Sequence, residues 1–370
     1  MELGFNMDSG EDISFPSFYG DRLILDNETN PSKIAIMYAG KLVEFLSLLP
    51  SEIPQIGSVH IARIEQTFKQ HKLANAKLED GAKISLRISN EQLSTGSLVL
   101  VTITAEPWDN KPARAVLGAE LTGRYVILLP GKPDIRRVSK KSVKGKRGTL
   151  TLEQLIDAVL PEGFGIILRR QAFNAPAIAI KQEIKILLED WQDCSASYSN
   201  IEWHSTPKKI YSGLPLLHVS KIIAPSAKYS IFKDDNEWQG IYDQLDYVNK
   251  PYFITEQKVG IWFQSTKGLT AIDIDSAGSK QSLSNLMPHI AETVLEQIRL
   301  RQLSGALFLD MPRLSKADKI KFYKLCYSYA LSDIRHPDIY GFGPAGLLEM
   351  TVRRRYMTLE NRMKLMFSDV

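Results

Sequence analysis

Cysteine is scarce in this chain of 370 residues, which has only Cys194 and Cys326. The two lie far apart, so no closely spaced pair is available to hold zinc or to carry out thiol redox chemistry. A disulfide-dense secreted fold is excluded for the same reason. We expect both cysteines to be small, buried apolar side chains.

Long apolar runs and a strong charge bias are also missing. The most apolar segments, YVILLP and GALFLDM, stop far short of the roughly 18 residues that a membrane-spanning helix needs. The net charge is only +4, which does not by itself require a polyanionic partner. Acidic residues stand where a secretory signal has basic ones, at positions 2, 8, 11 and 12. We therefore expect a cytoplasmic protein with no membrane span.

The composition is that of a folded protein with more than one domain. Hydrophobic residues make up 44% and charged residues 24%, close to ordinary globular usage. The length exceeds the roughly 100 to 200 residues of a single domain. KIAIMYAGKLVEFL predicts two strands joined at Ala39-Gly40, and the β-type runs from Gly57 to about Val116 predict a small barrel.

Alternating strand and helix patterns follow this barrel segment. GRYVILLP and GIILRR predict strands, and apolar residues at helical spacing from Ala177 to about Asp193 predict an amphipathic helix. A Ser/Pro-rich region at 193–226 predicts a domain boundary. Beyond it, strands GIWFQ, LTAIDI and GALFLD with a helix over 285–303 predict a βαβ unit, and Ser315 is expected to cap a last long helix.

Two acidic residues end strands of this βαβ unit. Asp273 lies near the end of one strand and Asp310 ends the next. If the strands are parallel neighbours, both carboxylates reach the same sheet edge, and Asp275 shares their face if its strand continues. Mg²⁺ bridging phosphate oxygens would offset their repulsion. The alternative is that these are ordinary strand-end or helix-cap residues.

Basic residues are concentrated in one segment. Eight cations stand between Lys132 and Arg147 against the single acidic residue Asp134, which is typical of a polycationic loop that contacts phosphates, or of a solvated loop. Tryptophan is expected in the core or at interfaces rather than in base stacking; the residues concerned are Trp191, Trp203, Trp238 and Trp262.

Three ordered blocks carry a family resemblance: GLTAIDIDSAG, IRLRQLSGALFLDM and GLLEMTVRRR. In order and spacing they resemble the catalytic half of the ribonuclease E/G family of metal-dependent endoribonucleases, and the resemblance extends from about Lys33 to Arg355. It implies a mixed α/β fold with an RNase H-like scaffold, an inserted OB-type barrel, a 5′-sensor subdomain and a DNase I-like catalytic subdomain. The expected domains are 1–54 and 213–262 for the scaffold, 55–116 for the barrel, 117–212 for the sensor and 263–370 for catalysis.

The resemblance also implies roles for individual residues. Asp273 and Asp310 would bind Mg²⁺, and Asp275, at a position where some relatives have Asn and some shorter ones Asp, would orient the first aspartate. Arg169 and Arg170, in place of the family's Arg-Thr pair, would grip the 5′-phosphate of RNA. The expected RNA-binding residues are Lys111, Arg124, Lys140 and Lys141.

Some family features are altered or absent. The base-stacking aromatics of the barrel are replaced by Lys77 and Leu86, and the zinc-link motif is missing, which leaves room for a homodimer without a zinc link. The expected function is Mg²⁺-dependent endonucleolytic cleavage of single-stranded RNA in RNA processing or decay. The alternatives are a catalytically weak or inactive RNA-binding relative, and a scaffold that associates with ribosomal RNA or the ribosome.

Overall fold

A computed structural model describes most of the chain. The described residues are 20–88, 93–109, 111–138, 156, 159–169, 171–172, 175–195, 205–224, 227–231, 235–333, 335 and 337–367. Within these ranges, no helix has the length and apolar character needed to cross a membrane.

The strands and helices of the described residues are numbered here in chain order. The strands are β1 (Arg22–Leu25), β2 (Lys33–Tyr38), β3 (Lys41–Ser47), β4 (Val59–Phe68), β5 (Leu73–Lys77), β6 (Lys83–Arg87), β7 (Leu98–Ala105), β8 (Ala113–Leu117), β9 (Leu121–Thr122), β10 (Val126–Pro130), β11 (Arg136–Val138), β12 (Phe164–Leu168), β13 (Lys208–Tyr211), β14 (Lys228–Ile231), β15 (Tyr252–Ile254), β16 (Gly260–Ser265), β17 (Leu269–Asp275), β18 (Gly305–Asp310), β19 (Asp338–Phe342) and β20 (Leu348–Val352). The helices are α1 (Ala177–Ser195), α2 (Leu216–Ile223), α3 (Asp235–Asn249), α4 (Leu283–Leu300), α5 (Lys316–Ser332) and α6 (Leu359–Phe367).

The described residues form two compact units. One comprises Tyr38–Val43 and Tyr242–Arg353, and the other comprises Asp21–Met37, Glu44–Ile241 and Arg354–Val370. Each is considered by itself below. The mixed α/β class expected from the sequence is confirmed in both.

A closed five-stranded barrel lies in the second unit. Its strands follow the order β4, β5, β6, β8 and β7, and pairing of β7 with β4 closes it, as in an OB-type barrel. Alternate residues of each strand point inward, and Ile64, Ile84 and Val101 fill the interior. The small barrel predicted between Gly57 and Val116 is therefore present.

A second sheet of this unit carries the region after the barrel. Strand β12 lies between β11 and β10, and β9 borders β10 on its other side. Helix α1 packs on this sheet through Ile180, Ile184, Leu187 and Trp191, the apolar stripe that predicted it. In the same unit β1 lies between β14, its parallel partner, and β2, its antiparallel partner.

The first unit contains the predicted βαβ crossover. Its sheet has the order β15, β16, β17, β18, β20 and β19, and β17 is parallel to β18 through helix α4. Buried residues of both strands pack with α4 and α5, including Ile272, Leu309, Ile290 and Phe322. The Ser315 side chain accepts the N–H of Asp318 at 3.1 Å, which confirms the predicted cap of α5.

Two details of local geometry differ from or refine the sequence expectations. Helix α4 begins at Leu283, where Ser282 caps it by accepting the N–H of Asn285, and it ends at Leu300. Ala39 and Gly40 both have positive φ, at 48° and 79°, which is the requirement of a two-residue hairpin turn.

Cys326 is buried as expected, whereas Cys194 is only partly buried.

Candidate metal centre and nucleic-acid interface

Asp273 and Asp310 face each other across two neighbouring parallel strands. They are register partners, the last pair of the β17–β18 ladder. In the sequence LTAIDID the alternate residues Ile272 and Ile274 point into the core, which turns Asp273 and Asp275 outward on the exposed face. Asp310 is exposed at the end of its strand. Neighbouring strands lie about 4.8 Å apart, so the two paired carboxylates lie close enough to share one cation.

The electrostatics of this pair fit a hard divalent cation. The pKa of the Asp273 carboxyl is raised above its ordinary value by partial burial first, and then by the negative charges of Asp310 and Asp275. All available donors are carboxylate oxygens, the ligands that Mg²⁺ prefers. Among the described residues no group of three His, Cys, Asp or Glu side chains is arranged to hold a metal. Mg²⁺ commonly binds through one or two carboxylates plus water and phosphate, so the pair suits it without a third ligand.

Asp275 has a local bond of its own. Its Oδ1 accepts the N–H of Ala277 at 2.8 Å, which fixes the turn after β17. Asp275 is exposed and lies on the same face as Asp273, two residues along the strand. It therefore contributes negative potential beside the pair while its carboxylate is held by the backbone.

Aromatic side chains continue the row that the two aspartates begin. Trp262 of β16 is the register partner of Asp273, and Tyr252 of β15 is the partner of Trp262. The two rings stack with centroids 4.2 Å apart. Trp191 and Trp238 are buried as expected for core residues, but Trp262 is 49% exposed. Trp203 lies outside the described residues.

Arg169 occupies a partly buried position just after β12. Its backbone N–H donates to the Tyr125 carbonyl at 2.8 Å, and its guanidinium donates to the Gly123 carbonyl. The pKa of Arg169 is lowered to about 10, first by burial and then by the charge of the nearby Arg355, while Glu183 opposes the shift. Two arginines thus lie close together without full neutralisation, an arrangement that favours an anion such as phosphate.

Glu183 of helix α1 organises the backbone beside Arg169. Its carboxylate accepts the N–H groups of Arg124 and Tyr125 at 2.7 Å and of Val126 at 2.9 Å. Burial raises the pKa of Glu183, and these hydrogen bonds oppose that rise. A Cβ at Gly123 would lie 2.3 Å from the Glu183 carboxylate, so the close approach requires glycine there. The sequence expectations did not include Glu183, because its partner segment is distant along the chain.

The other predicted RNA-binding residues have different surroundings. The Arg124 guanidinium is partly buried, donates to the Ile222 carbonyl and lies 5.7 Å from the Tyr125 ring centre. Lys111 is exposed on a tight turn in which its backbone pairs with Trp108. Arg170, Lys140 and Lys141 lie outside the described residues.

The barrel surface has no stacking aromatic at the two positions singled out in the sequence, Lys77 and Leu86, but it carries one row of mixed side chains. Leu86 is buried in the barrel and cannot stack on a base, whereas Lys77 is exposed. Phe68, Leu73 and Arg87 are successive register partners on β4, β5 and β6, and all three are at least partly exposed. An aromatic ring, an aliphatic side chain and a cation therefore share one patch of the barrel.

A buried ion pair fixes the chain that follows β20 within the second unit. Arg362 Nη2 donates to Glu106 Oε1 at 2.6 Å, and both side chains are only 4% exposed. The other Glu106 oxygen accepts the Met357 N–H at 2.8 Å, and the Glu106 N–H donates to the Arg355 carbonyl at 2.8 Å. These bonds fix the backbone at Arg355, the residue whose charge acts on Arg169.

The first unit has paired strand-end carboxylates that suit a divalent cation, and the second has a closed barrel and two arginines that suit a phosphate group. Comparison with known proteins agrees. The sequence profile of the Ribonuclease E/G family matches residues 120–252 and 236–355, and the chain belongs to this family.

Curated relatives show the same relationship at low identity. Ribonuclease E of Escherichia coli K12 is 23% identical over 350 residues, covering 82% of this chain and 32% of the relative. Ribonuclease E of Synechocystis sp. is 23% identical over 315 residues, covering 73% and 46%. Ribonuclease G of Salmonella typhimurium is 19% identical over 376 residues, covering 91% and 76%. The chain thus spans less than half the length of these two ribonuclease E relatives.

Proposed function

We propose that this chain is a Mg²⁺-dependent endoribonuclease that cleaves single-stranded RNA in RNA processing or decay. The observation that carries the proposal is the in-register pair Asp273 and Asp310 at the end of two parallel strands. Membership of the Ribonuclease E/G family supports an activity on RNA. The cytoplasmic location and a homodimer without a zinc link stay predictions of the sequence.

The two aspartates would hold Mg²⁺, and Asp275 would help to orient Asp273. Bound Mg²⁺ supplies a Lewis acid for the phosphate and lowers the pKa of a bound water. The chain's own residues place the substrate: basic side chains contact the RNA backbone and fix its register without reading its sequence. Lys111 is exposed for such a contact, and Lys140 and Lys141 are assigned to it by the sequence alone.

Arg169 is proposed to recognise the 5′-phosphate of RNA. Its partly buried guanidinium, with the like charge of Arg355 nearby, gains most from an anion that both can pair with. Whether Arg170 joins them is a prediction from the resemblance. Arg124, which is engaged with the Ile222 carbonyl, is assigned to the support of this site through Tyr125.

The architecture we propose follows the family. Residues 1–54 and 213–262 would form an RNase H-like scaffold, 55–116 the RNA-binding barrel, 117–212 the 5′-sensor and 263–370 the DNase I-like catalytic part. The closed barrel and the βαβ unit with its acidic pair are the two elements that support this assignment most.

Incubation of the protein with a 5′-monophosphorylated single-stranded RNA, in Mg²⁺ or in EDTA, tests the proposal. Internal cleavage that requires Mg²⁺ is expected. RNA binding without cleavage in any divalent cation would instead support an RNA-binding relative that has lost catalysis. Binding to structured ribosomal RNA alone, with no affinity for single strands, would support the scaffold alternative.

A further inference from the structure

Four side chains form one continuous row across the sheet of the first unit. Tyr252, Trp262, Asp273 and Asp310 are successive register partners on β15, β16, β17 and β18. Register partners project from the same face of a sheet, and their Cβ atoms lie about 4.5 to 5.5 Å apart. The indole of Trp262 therefore emerges on the strand next to the Asp273 carboxylate, on the face that helices α4 and α5 leave uncovered.

The tryptophan is held in place by its neighbour. Tyr252 stacks on Trp262 with an interplanar angle of 26°. The Tyr252 ring lies over Gly260, where a Cβ would come within 2.9 Å of the phenol oxygen, so glycine is needed for this position of the ring. Stacking covers one face of the indole, yet Trp262 remains 49% exposed, which leaves its second face accessible.

We propose that Trp262, supported by Tyr252, is a stacking platform for the nucleobase next to the phosphate that the acidic pair receives. The inference rests on the proposed function and adds a substrate-binding residue to it. Every base has a π-face, so such a platform accepts single-stranded RNA of any sequence and requires that the base be unpaired. The platform would set the position of the RNA strand relative to the acidic pair, because a base fixed on β16 places its phosphate near β17 and β18.

The charges in the row favour RNA over a second copy of the chain. An interface between two copies on this face would bury Asp273 and Asp310 in a low dielectric, where two neighbouring carboxylates without a counter-ion are strongly unfavourable. An RNA strand would cover the indole with a base, and a divalent cation held by the carboxylates would offset both their charge and that of the adjacent phosphate. The aromatic and acidic halves of the row are thus complementary to the two halves of a nucleotide.

The binding test compares Trp262→Ala, Trp262→Phe and the control Tyr340→Ala in Ca²⁺, with a gel to verify that the RNA stays intact during the measurement. Stacking contributes about 1 to 3 kcal/mol per base, which at about 1.4 kcal/mol per tenfold corresponds to a loss of roughly 5- to 150-fold in affinity for Trp262→Ala. Trp262→Phe should recover most of it. Tyr340 is 63% exposed on β19, four strands from β16 in the same sheet, and its replacement should change the affinity less than about twofold.

Single abasic substitutions along the RNA locate the stacked base. In the wild type, one abasic position should weaken binding by about the same factor as Trp262→Ala, and in Trp262→Ala the same RNA should lose nothing further, because the two changes remove one contact. If, at every abasic position, the loss of RNA affinity simply added to that of Trp262→Ala, the proposed platform would be wrong. An unchanged RNA affinity of Trp262→Ala would also overturn it. A change in sedimentation from dimer to monomer with unchanged RNA affinity would overturn it in favour of an interface between copies.

The outcome is separable from that of the proposed function. Binding and abasic scanning are measured without cleavage, so a protein that binds but does not cleave refutes the nuclease and leaves the platform supported. In a cleaving protein, the platform predicts that Trp262→Ala raises KM more than it lowers kcat, and that cleavage spreads over several phosphates because the register is lost. Near-wild-type thermal unfolding of Trp262→Phe shows that the loss in Trp262→Ala is not a failure to fold.

Discussion

Replacing Arg362 by Met removes one partner of the buried ion pair with Glu106. Both side chains are 4% exposed, and the Arg362 Nη1 also donates to the Ser47 carbonyl at 2.9 Å. The remaining Glu106 carboxylate would keep one backbone donor, Met357. Breaking a buried pair in this way costs about 3 to 5 kcal/mol. Urea unfolding followed by circular dichroism should show a loss of free energy of unfolding in this range.

Two further variants separate charge burial from the loss of a salt bridge. Lys364→Met breaks an exposed i,i+4 pair with Glu360 on the same helix and should cost about 0.3 to 0.5 kcal/mol. The double variant Glu106→Leu with Arg362→Met leaves no unpaired buried charge and should recover most of the stability. An Arg362→Met loss no larger than that of Lys364→Met would show that burial of the Glu106 carboxylate does not make this pair more costly to break than an exposed one.

Three other perturbations have defined outcomes. Arg169→Ala should lower cleavage of 5′-monophosphorylated RNA more than that of 5′-hydroxyl RNA, since only the former has a terminal charge to pair, and equal losses would indicate a general role. The pKa of His60 is lowered to about 4, mainly by burial. Because the unfolded state, with a pKa near 6.5, binds more protons, His60 contributes stability above pH 6.5 that is lost as the pH falls toward 4. Urea unfolding of the wild type should therefore show a loss of free energy of unfolding between pH 7.5 and pH 5, and His60→Gln should make that loss smaller by about 2 kcal/mol. An identical pH profile in the two proteins would contradict this. Replacing Lys140 and Lys141 by Ala should make the slope of log affinity against log salt shallower by about 1 to 1.5 on two unrelated RNAs, whereas an unchanged slope would mean that neither contacts phosphate.

The acidic pair and its strands could be predicted because the signals are local. The end of LTAIDID alternates strictly between apolar and acidic residues, which predicts the exposed face of its strand. GALFLD ends in an acid, which predicts where its strand ends. The helix between them has a clear apolar stripe, and two strands joined by such a helix are usually parallel neighbours with a right-handed crossover. The same locality explains why the barrel, helix α1 and the Ser315 cap were predicted.

Other features depend on contacts that are distant along the chain. The approach of Arg355 to Arg169, and the three backbone hydrogen bonds of Glu183, join segments whose separation carries no sequence signal. The short strands β13 and β14 and helix α2 lie in or beside the region predicted as a loose boundary, because strands of four residues show too little alternation.

The face of the sheet from which the Trp262 side chain projects could not be predicted from the sequence either. In GIWFQ the tryptophan stands between apolar neighbours and is typical of a core residue, yet its register places it outward beside Asp273. Leu86 shows the opposite case, since a position aligned with a surface aromatic is buried in the barrel. A shift of one residue in strand register exchanges the two faces, so such assignments need the structure.

In the proposed function, Asp273 and Asp310 together hold the Mg²⁺ on which cleavage depends. Single-turnover cleavage of one 5′-monophosphorylated single-stranded RNA, measured over a Mg²⁺ titration, compares the wild type with Asp273→Asn, Asp310→Asn and the exposed control Asp246→Asn. We expect both site variants to lose cleavage by at least about a hundredfold while RNA affinity in EDTA is kept, and the control to be unchanged. Wild-type rates in Asp273→Asn and Asp310→Asn at low Mg²⁺ would contradict it.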